Sequence, residues 1–367
     1  MKIHFSSKMG SYKLFGFIIT CLTINVCMAS KKQLVSSIAE PTAYEPIIYS
    51  GINYKFNNPD QIAIDSNDNV WVGNSDPNKR IYLVKIPKNA PTQPEHYASK
   101  LSGFSQEITV DYKNNIWLAN IGDMYAGAAV EEFPVNNPNN PIVYTEAKYN
   151  FSSNYGIASD RTGNIWVSSQ SLTASPGSIT EIPINNPNEP IIYLGEKYHF
   201  DQPLAITSDP QGNIWVANQG YFGDASIIKF PATNPNNPII YSGSKYGIEL
   251  PTSIISDSKG NIWFSSLSNA TVTEIPVNNP DEPIIYSVPY ETYKMTADNE
   301  DNIWMTTQQS QIFEIPATKP NTVVTYSGEK YGFGNTLGIK ADSQGNIWVV
   351  NGVDNTITEL KKINTVK

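Results

Sequence analysis

One phrase occurs seven times in this chain: DSNDNVW, DYKNNIW, DRTGNIW, DPQGNIW, DSKGNIW, DNEDNIW and DSQGNIW. The copies end at Trp71, Trp117, Trp166, Trp215, Trp263, Trp304 and Trp348, which are all seven tryptophans of the 367 residues. Each places Asp six residues before Trp and Asn two before it. The residue three before Trp is Asp68, Asn114, Gly163, Gly212, Gly260, Asp301 or Gly345. Only types that tolerate positive φ occur there. The leading Asp can accept hydrogen bonds from turn N–H groups, as Asx turns do. The phrase therefore predicts a tight hairpin turn. One strand precedes it ("QIAID", "LAITSD") and an apolar strand follows it ("NIWVAN", "NIWFSS").

The rest of the unit repeats too. A third strand ends in "KIP", "EFP", "EIP" or "KFP", and a Pro/Asn-rich turn such as "VNNPNNP" follows. A fourth strand, "PIIYS" or a variant, carries Tyr49, Tyr97, Tyr144, Tyr193, Tyr241, Tyr286 or Tyr326. Four short antiparallel strands recurring every 41 to 49 residues describe a propeller blade. The predicted fold is all-β, a seven-bladed β-propeller of four-stranded antiparallel blades. The Trp and Tyr rows are expected to pack between neighbouring blades, with ligand stacking as the lesser reading. The repeat region begins with a fourth strand, "EPIIYSG" (45–51), and ends with a third, "TITELKK". These pieces sum to one blade, so pairing the N-terminal strand with the C-terminal strands should close the ring and leave no sheet edge. A linear β-solenoid is the alternative, and the split blade counts against it.

"IAIDSNDNVWVGNS" and "ITSDPQGNIWVANQG" resemble NHL repeats, with Trp in place of the more usual Tyr. Residues 41–363 also look like the broader superfamily that contains streptogramin B lyase, a seven-bladed propeller. The resemblance implies the fold far more than the activity, because propellers host binding proteins, lactonases, lyases and sensors.

Residues 1–29 differ from the rest. Lys2, Lys8 and Lys13 precede an uncharged run from Leu14 to Ala29 that ends in "CMA", the outline of a secretory signal peptide. The run is shorter than the roughly 20 residues that span a bilayer. We therefore expect export to the periplasm or the extracellular space, a short linker over 30–40, one propeller over 41–367, and no stable membrane span after processing. Cys21 and Cys27 both lie in the leader, so the mature chain would hold no disulfide and no thiolate chemistry. Removing the leader moves the net charge from −9 to about −12. An acidic chain without Lys/Arg clusters argues against nucleic acid as a partner. The sequons at Asn150 and Asn269 matter only in a eukaryotic source.

An antiparallel meander sends its turns alternately to opposite faces. The Asp-Asn-Trp turns and Asn/Pro turns share one face, here the bottom. The loops between second and third strands and the blade-to-blade connections share the other, the top. Binding sites form where variable loops converge on a rigid frame, which favours the top. From Trp to the end of the third strand the spacings are 16, 17, 17, 16, 13, 12 and 13, so four consecutive blades should carry longer loops. Two of them, "GDMYAG" and "GYFGDA", nominate a binding wall of Asp123, Met124, Tyr125, Tyr221, Phe222 and Asp224. Ordinary loop packing is the competing explanation.

On the innermost strands, Glu107, Lys294 and Lys340 stand where other blades carry Gln61, Gly156, Ala205 and Ser253 or Gly338. They could bind a polar ligand in the channel, or form an ion pair that fills it. The lyases that the chain resembles are understood to use histidines and a Glu with Mg²⁺. Only His96 and His199 remain outside the leader, and the inner-strand positions where that pattern places His hold Asp60, Gln106, Tyr155, Leu204, Thr252, Tyr293 and Leu337. A lactonase-like propeller would need converging Glu, Asn and Asp ligands for a hard metal ion, a role Glu107, Asn154 and Asp201 could fill, though no spacing requires it. We expect no cofactor, with Ca²⁺ or Mg²⁺ needed only under a lyase or lactonase alternative. The expected function is that of a monomeric scaffold binding a protein or carbohydrate partner.

Overall fold

The computed structural model describes residues 36–39, 44–76, 78, 80–122, 127–145, 147–171, 176–220 and 225–363. Its strands form seven sheets arranged as the blades of a β-propeller. Six blades follow one another over 59–102, 105–144, 153–193, 203–242, 251–287 and 295–327. Within each, neighbours in sequence are neighbours in the sheet, and every pairing is antiparallel. The innermost strand of each blade touches that of the next, and Thr336–Ala341 touches Pro59–Ile64, so the ring is closed.

The seventh blade is the split one. Thr336–Ala341, Ile347–Asn351 and Thr356–Lys362 come from the C-terminus, and Tyr44–Tyr49 supplies the outer strand. The closing ladder runs from Tyr44 opposite Lys362 to Tyr49 opposite Ile357. The expected linker is not wholly irregular: Ser36–Ala39 lies parallel to Thr322–Ser327 and adds a fifth strand to blade six.

Burial explains the composition of each strand. Second strands such as Ile116–Asn120 and Ile214–Asn218 are buried at every position, because neighbouring blades cover both faces. Fourth strands such as Ile191–Tyr193 read exposed, intermediate, buried, so only the inward residue is apolar by necessity. The core is divided among the junctions. Trp166 and Tyr193 of blade three pack on Val216, Ile228 and Phe230 of blade four, and Trp348 and Tyr49 pack likewise on Ile62, Val72 and Val84 across the seam.

Within each blade the Trp stacks on the outer-strand Tyr, with ring centroids 5.3–5.4 Å apart in six blades. Trp304 and Tyr326 lie at 5.0 Å with a larger tilt. Both rows are thus packing rows. The third-strand residue paired with the Trp is Glu in five blades. The Tyr hydroxyl donates to that Glu at 2.6 Å in Tyr49–Glu359 and 2.7 Å in Tyr326–Glu314. Blades one and four have Lys85 and Lys229 instead, each over its Trp ring. Burial raises the carboxyl pKa of these glutamates, for Glu314 to about 7, even though the Tyr326 hydrogen bond pulls the other way.

Radial sheets diverge outward and leave a wedge between their outer strands. At four junctions a short 3-10 turn fills it with a buried Tyr: Tyr149, Tyr198, Tyr246 and Tyr331. Tyr54 does the same beside Phe56 at the junction of blades seven and one. Between blades one and two the long outer strand Glu95–Ser102 takes over, its Ser99 hydroxyl and Lys100 N–H holding the fully buried Glu131 carboxylate.

Candidate functional site

The bottom face is built from the repeated phrase and satisfies itself. In every copy one Asp oxygen accepts the N–H groups two and four residues on, as Asp209 does from Gln211 and Asn213 at 3.0 and 2.8 Å. Its other oxygen accepts the Asn amide and the Trp indole N–H, at 2.7 and 2.8 Å for Asn213 and Trp215. The Asn carbonyl oxygen in turn accepts the N–H just past the third strand, Ala232 in this blade. The residue three before Trp has positive φ in all seven copies, from 60° at Asp68 to 89° at Gly260. Where it is not Gly, its side chain crosses to the preceding blade. Asn114 accepts from the Ser66 N–H, Asp301 from Ser258, and Asp68 from Ser343 across the seam.

The top face is irregular. In blades two, three and four, eight, seven and seven residues separate the second strand from the third, against four in blades five to seven, at 267–270, 307–310 and 352–355. Blade one departs from the expectation of four long loops. Its extra residues lengthen the hairpin instead, with Val70–Ser75 paired to Arg80–Ile86 as far as Ser75 opposite Ile81. Asp76 then closes a four-residue turn by accepting the Asn78 and Arg80 N–H groups. The proposed wall residues Asp123, Met124, Tyr125, Tyr221, Phe222 and Asp224 lie outside the described residues.

The channel brings together Glu107 of blade two and Lys294 of blade six, whose ammonium and carboxylate are in contact. Lys340 sits at a different level. It pairs with Trp348, as Thr109 does with Trp117, which puts it two residues nearer the bottom than Glu107, opposite Ala119. The alignment of Lys340 with Gln61 and Ser253 is thereby corrected, because the two-residue period of a strand sets the level at which a side chain enters the channel. Lys340 makes no hydrogen bond or ion pair among the described residues. Burial lowers its pKa, partly opposed by Glu107 and reinforced by Lys294. The channel volume of about 160 Å³ lies below the ~300–1,000 Å³ of pockets that take organic ligands.

The remaining sequence candidates are dispersed. His96 meets the Asn53 carbonyl on the outer strand, and His199 is an exposed residue in left-handed conformation after a 3-10 turn. The Asn154 side chain is fully buried, donating to the Ala129 carbonyl and accepting from Ser169. Among the described residues no three His, Cys, Asp or Glu side chains converge with metal-ligand geometry.

A groove of about 520 Å³ opens elsewhere on the top face, between blades five and six. Ala270, Pro289, Tyr290, Glu291, Tyr293, Thr307, Gln308 and Gln309 line it. Sequence reasoning passed over it, although the connection "SVPYETYKM" lacks the "K-Y" turn of its counterparts.

No family model and no curated protein matches the chain. Among solved structures it is similar to virginiamycin B lyase from Staphylococcus aureus, in a catalytically inactive form with quinupristin (TM-score 0.70, 16% identity, 87% of this chain and 100% of that one). It is also similar to the extracellular domain of a proposed one-component system from B. thetaiotaomicron (TM-score 0.62, 16% identity, 88% of this chain and 44% of that one). The WD40 propeller domain of Doa1 superposes at TM-score 0.64 and 10% identity, over 88% of this chain and 98% of that one. At these identities the likeness is one of fold.

Proposed function

We propose that this protein is an exported, non-catalytic, monomeric propeller that binds a protein or carbohydrate partner through its top face. The contrast between the two faces carries the reading. At the bottom, seven near-identical turns consume their own polar groups, so little is left to recognise a partner. At the top, loop length changes from blade to blade, and the Gln308 and Gln309 side-chain amides make no hydrogen bond among the described residues. A rigid ring carrying unequal loops is a common way of presenting a binding surface. The basic, apolar leader supports export, and the similarity to an extracellular domain is consistent with it. The similarity to virginiamycin B lyase keeps a metal-dependent lyase or lactonase as the second reading. Ca²⁺ or Mg²⁺ bound stoichiometrically after purification would favour that reading.

The test uses the wall residues. Replacing Tyr125, Tyr221 and Phe222 together with Ala should leave the melting temperature unchanged, because loop tips add little to the core. Partner affinity, measured by calorimetric titration, should fall by about 1–3 kcal/mol if these side chains are binding hot spots. Undiminished binding would move the contact surface away from blades two and four.

A further inference from the structure

The groove between blades five and six exists because one connection is too short. From the outer-strand Tyr to the channel-level residue of the next blade the chain takes twelve residues at five junctions, for example Tyr193 to Ala205 and Tyr326 to Gly338. It takes ten from Tyr97 to Glu107, where the long outer strand compensates. From Tyr286 to Lys294 it takes eight, and no 3-10 turn forms. The wedge that a buried Tyr fills elsewhere is therefore left open. Tyr290, the nearest counterpart of that Tyr, is 49% exposed and lies parallel to Phe313, with centroids 6.3 Å apart.

The rim is polar and unspent. The side-chain amides of Gln308 and Gln309, the Glu291 carboxylate and the Tyr290 and Tyr293 hydroxyls make no hydrogen bond among the described residues. Gln308 and Ala270, in the short loops on opposite sides of the groove, hold positive φ of 55° and 48°. No Lys or Arg lines it, and its one charge is negative.

Resting on the top-face reading above, we infer that this groove is a binding site for a neutral saccharide. An exposed Tyr ring offers a flat apolar surface to the C–H face of a sugar, while amides and phenol hydroxyls both donate and accept hydrogen bonds to its hydroxyls. Glu291 accepts from sugar hydroxyls and repels a uronate or sulfate. The volume of about 520 Å³ fits one to three sugar units.

The experiment is an array of neutral gluco-, galacto- and manno-oligosaccharides with their uronate counterparts, followed by titration of the best binder into wild type and variants. Wild type should bind a neutral oligosaccharide in preference to uronates. Tyr290→Ala should weaken that binding at least tenfold at an unchanged melting temperature, and Gln309→Ala, which alters only an exposed amide, should weaken it several-fold. Glu291→Gln should narrow the discrimination against uronates. Binding of no neutral oligosaccharide, or full-strength binding by both Tyr290→Ala and Gln309→Ala, overturns the proposal. Saccharide binding kept in those variants but lost in the Tyr125/Tyr221/Phe222 variant also overturns it, while leaving the top-face reading standing.

Discussion

Asp68 and Ser343, 275 residues apart in the chain, are hydrogen-bonded across the seam of the ring: the Asp68 carboxylate accepts the Ser343 N–H at 3.0 Å and its hydroxyl at 2.6 Å. Lys88 also reaches this carboxylate. Burial opposes the charge, but the Lys88 and Ser343 bonds win and hold the Asp68 pKa below the usual carboxylate range. Asp68→Gly keeps the positive φ and removes only the side chain. Urea denaturation should show a loss of about 1–3 kcal/mol, the usual consequence of deleting hydrogen bonds to a charged group. A cycle with Ser343→Ala should show coupling of about 1 kcal/mol. Additive effects would mean that the Ser343 hydroxyl bond to Asp68 contributes nothing.

Glycines in the same turn position should differ in what they tolerate. At Gly212, φ is 85°, and an added Cβ meets nothing nearer than the Ala232 Cβ at 3.7 Å. Gly212→Val should therefore cost about 1–2 kcal/mol, from backbone strain and the stiffness of a β-branched side chain. At Gly163 a Cβ would land on the ring of Tyr112, so Gly163→Ala should cost more than Gly212→Ala. Equal melting temperatures for the two Ala variants would refute the packing at Gly163.

Stability should fall as pH rises from about 4.5 to 7. Glu132, Glu181, Glu274, Glu314 and Glu359 have raised pKa values because burial disfavours their charge. Between an unfolded value near 4.5 and a folded value near 7, native Glu314 keeps a proton that the unfolded chain has lost. Its stabilising effect is complete below pH 4.5 and gone once pH passes 7, a change of up to about 3 kcal/mol. Glu314→Gln, which keeps a hydrogen-bond acceptor for Tyr326, should flatten this part of the pH–stability curve. A curve of unchanged slope would show that Glu314 titrates normally.

Truncation separates the two N-terminal strands. Deleting 30–51 removes Tyr44–Tyr49 and exposes the edge of Thr356–Lys362, so aggregation or a large drop in melting temperature is expected. Deleting 30–40 removes only the four-residue parallel ladder on blade six and should be tolerated far better. Light scattering and thermal melts decide between them. A longer deletion that stays monomeric and equally stable would show that the closing strand is dispensable.

What was legible in the sequence was local or periodic. The Asp-x-x-Gly-Asn-x-Trp turn needs positive φ at one place and an acceptor six residues before Trp, and both needs constrain residue type directly. The ring closure was legible because an outer strand without its blade and a blade without its outer strand complete each other. The tertiary structure decided whatever depends on neighbours distant in sequence. Asp68, Asn114 and Asp301 look like mere substitutes for Gly until the adjacent blade brings up Ser343, Ser66 and Ser258. The level of Lys340 depends on strand register, and the longer spacing of blade one was absorbed by a hairpin ladder, which a residue count cannot tell from a loop. The groove beside Tyr290 is the clearest case. A connection four residues shorter is visible in the sequence, but only the outward divergence of two radial sheets turns that shortage into an open cavity.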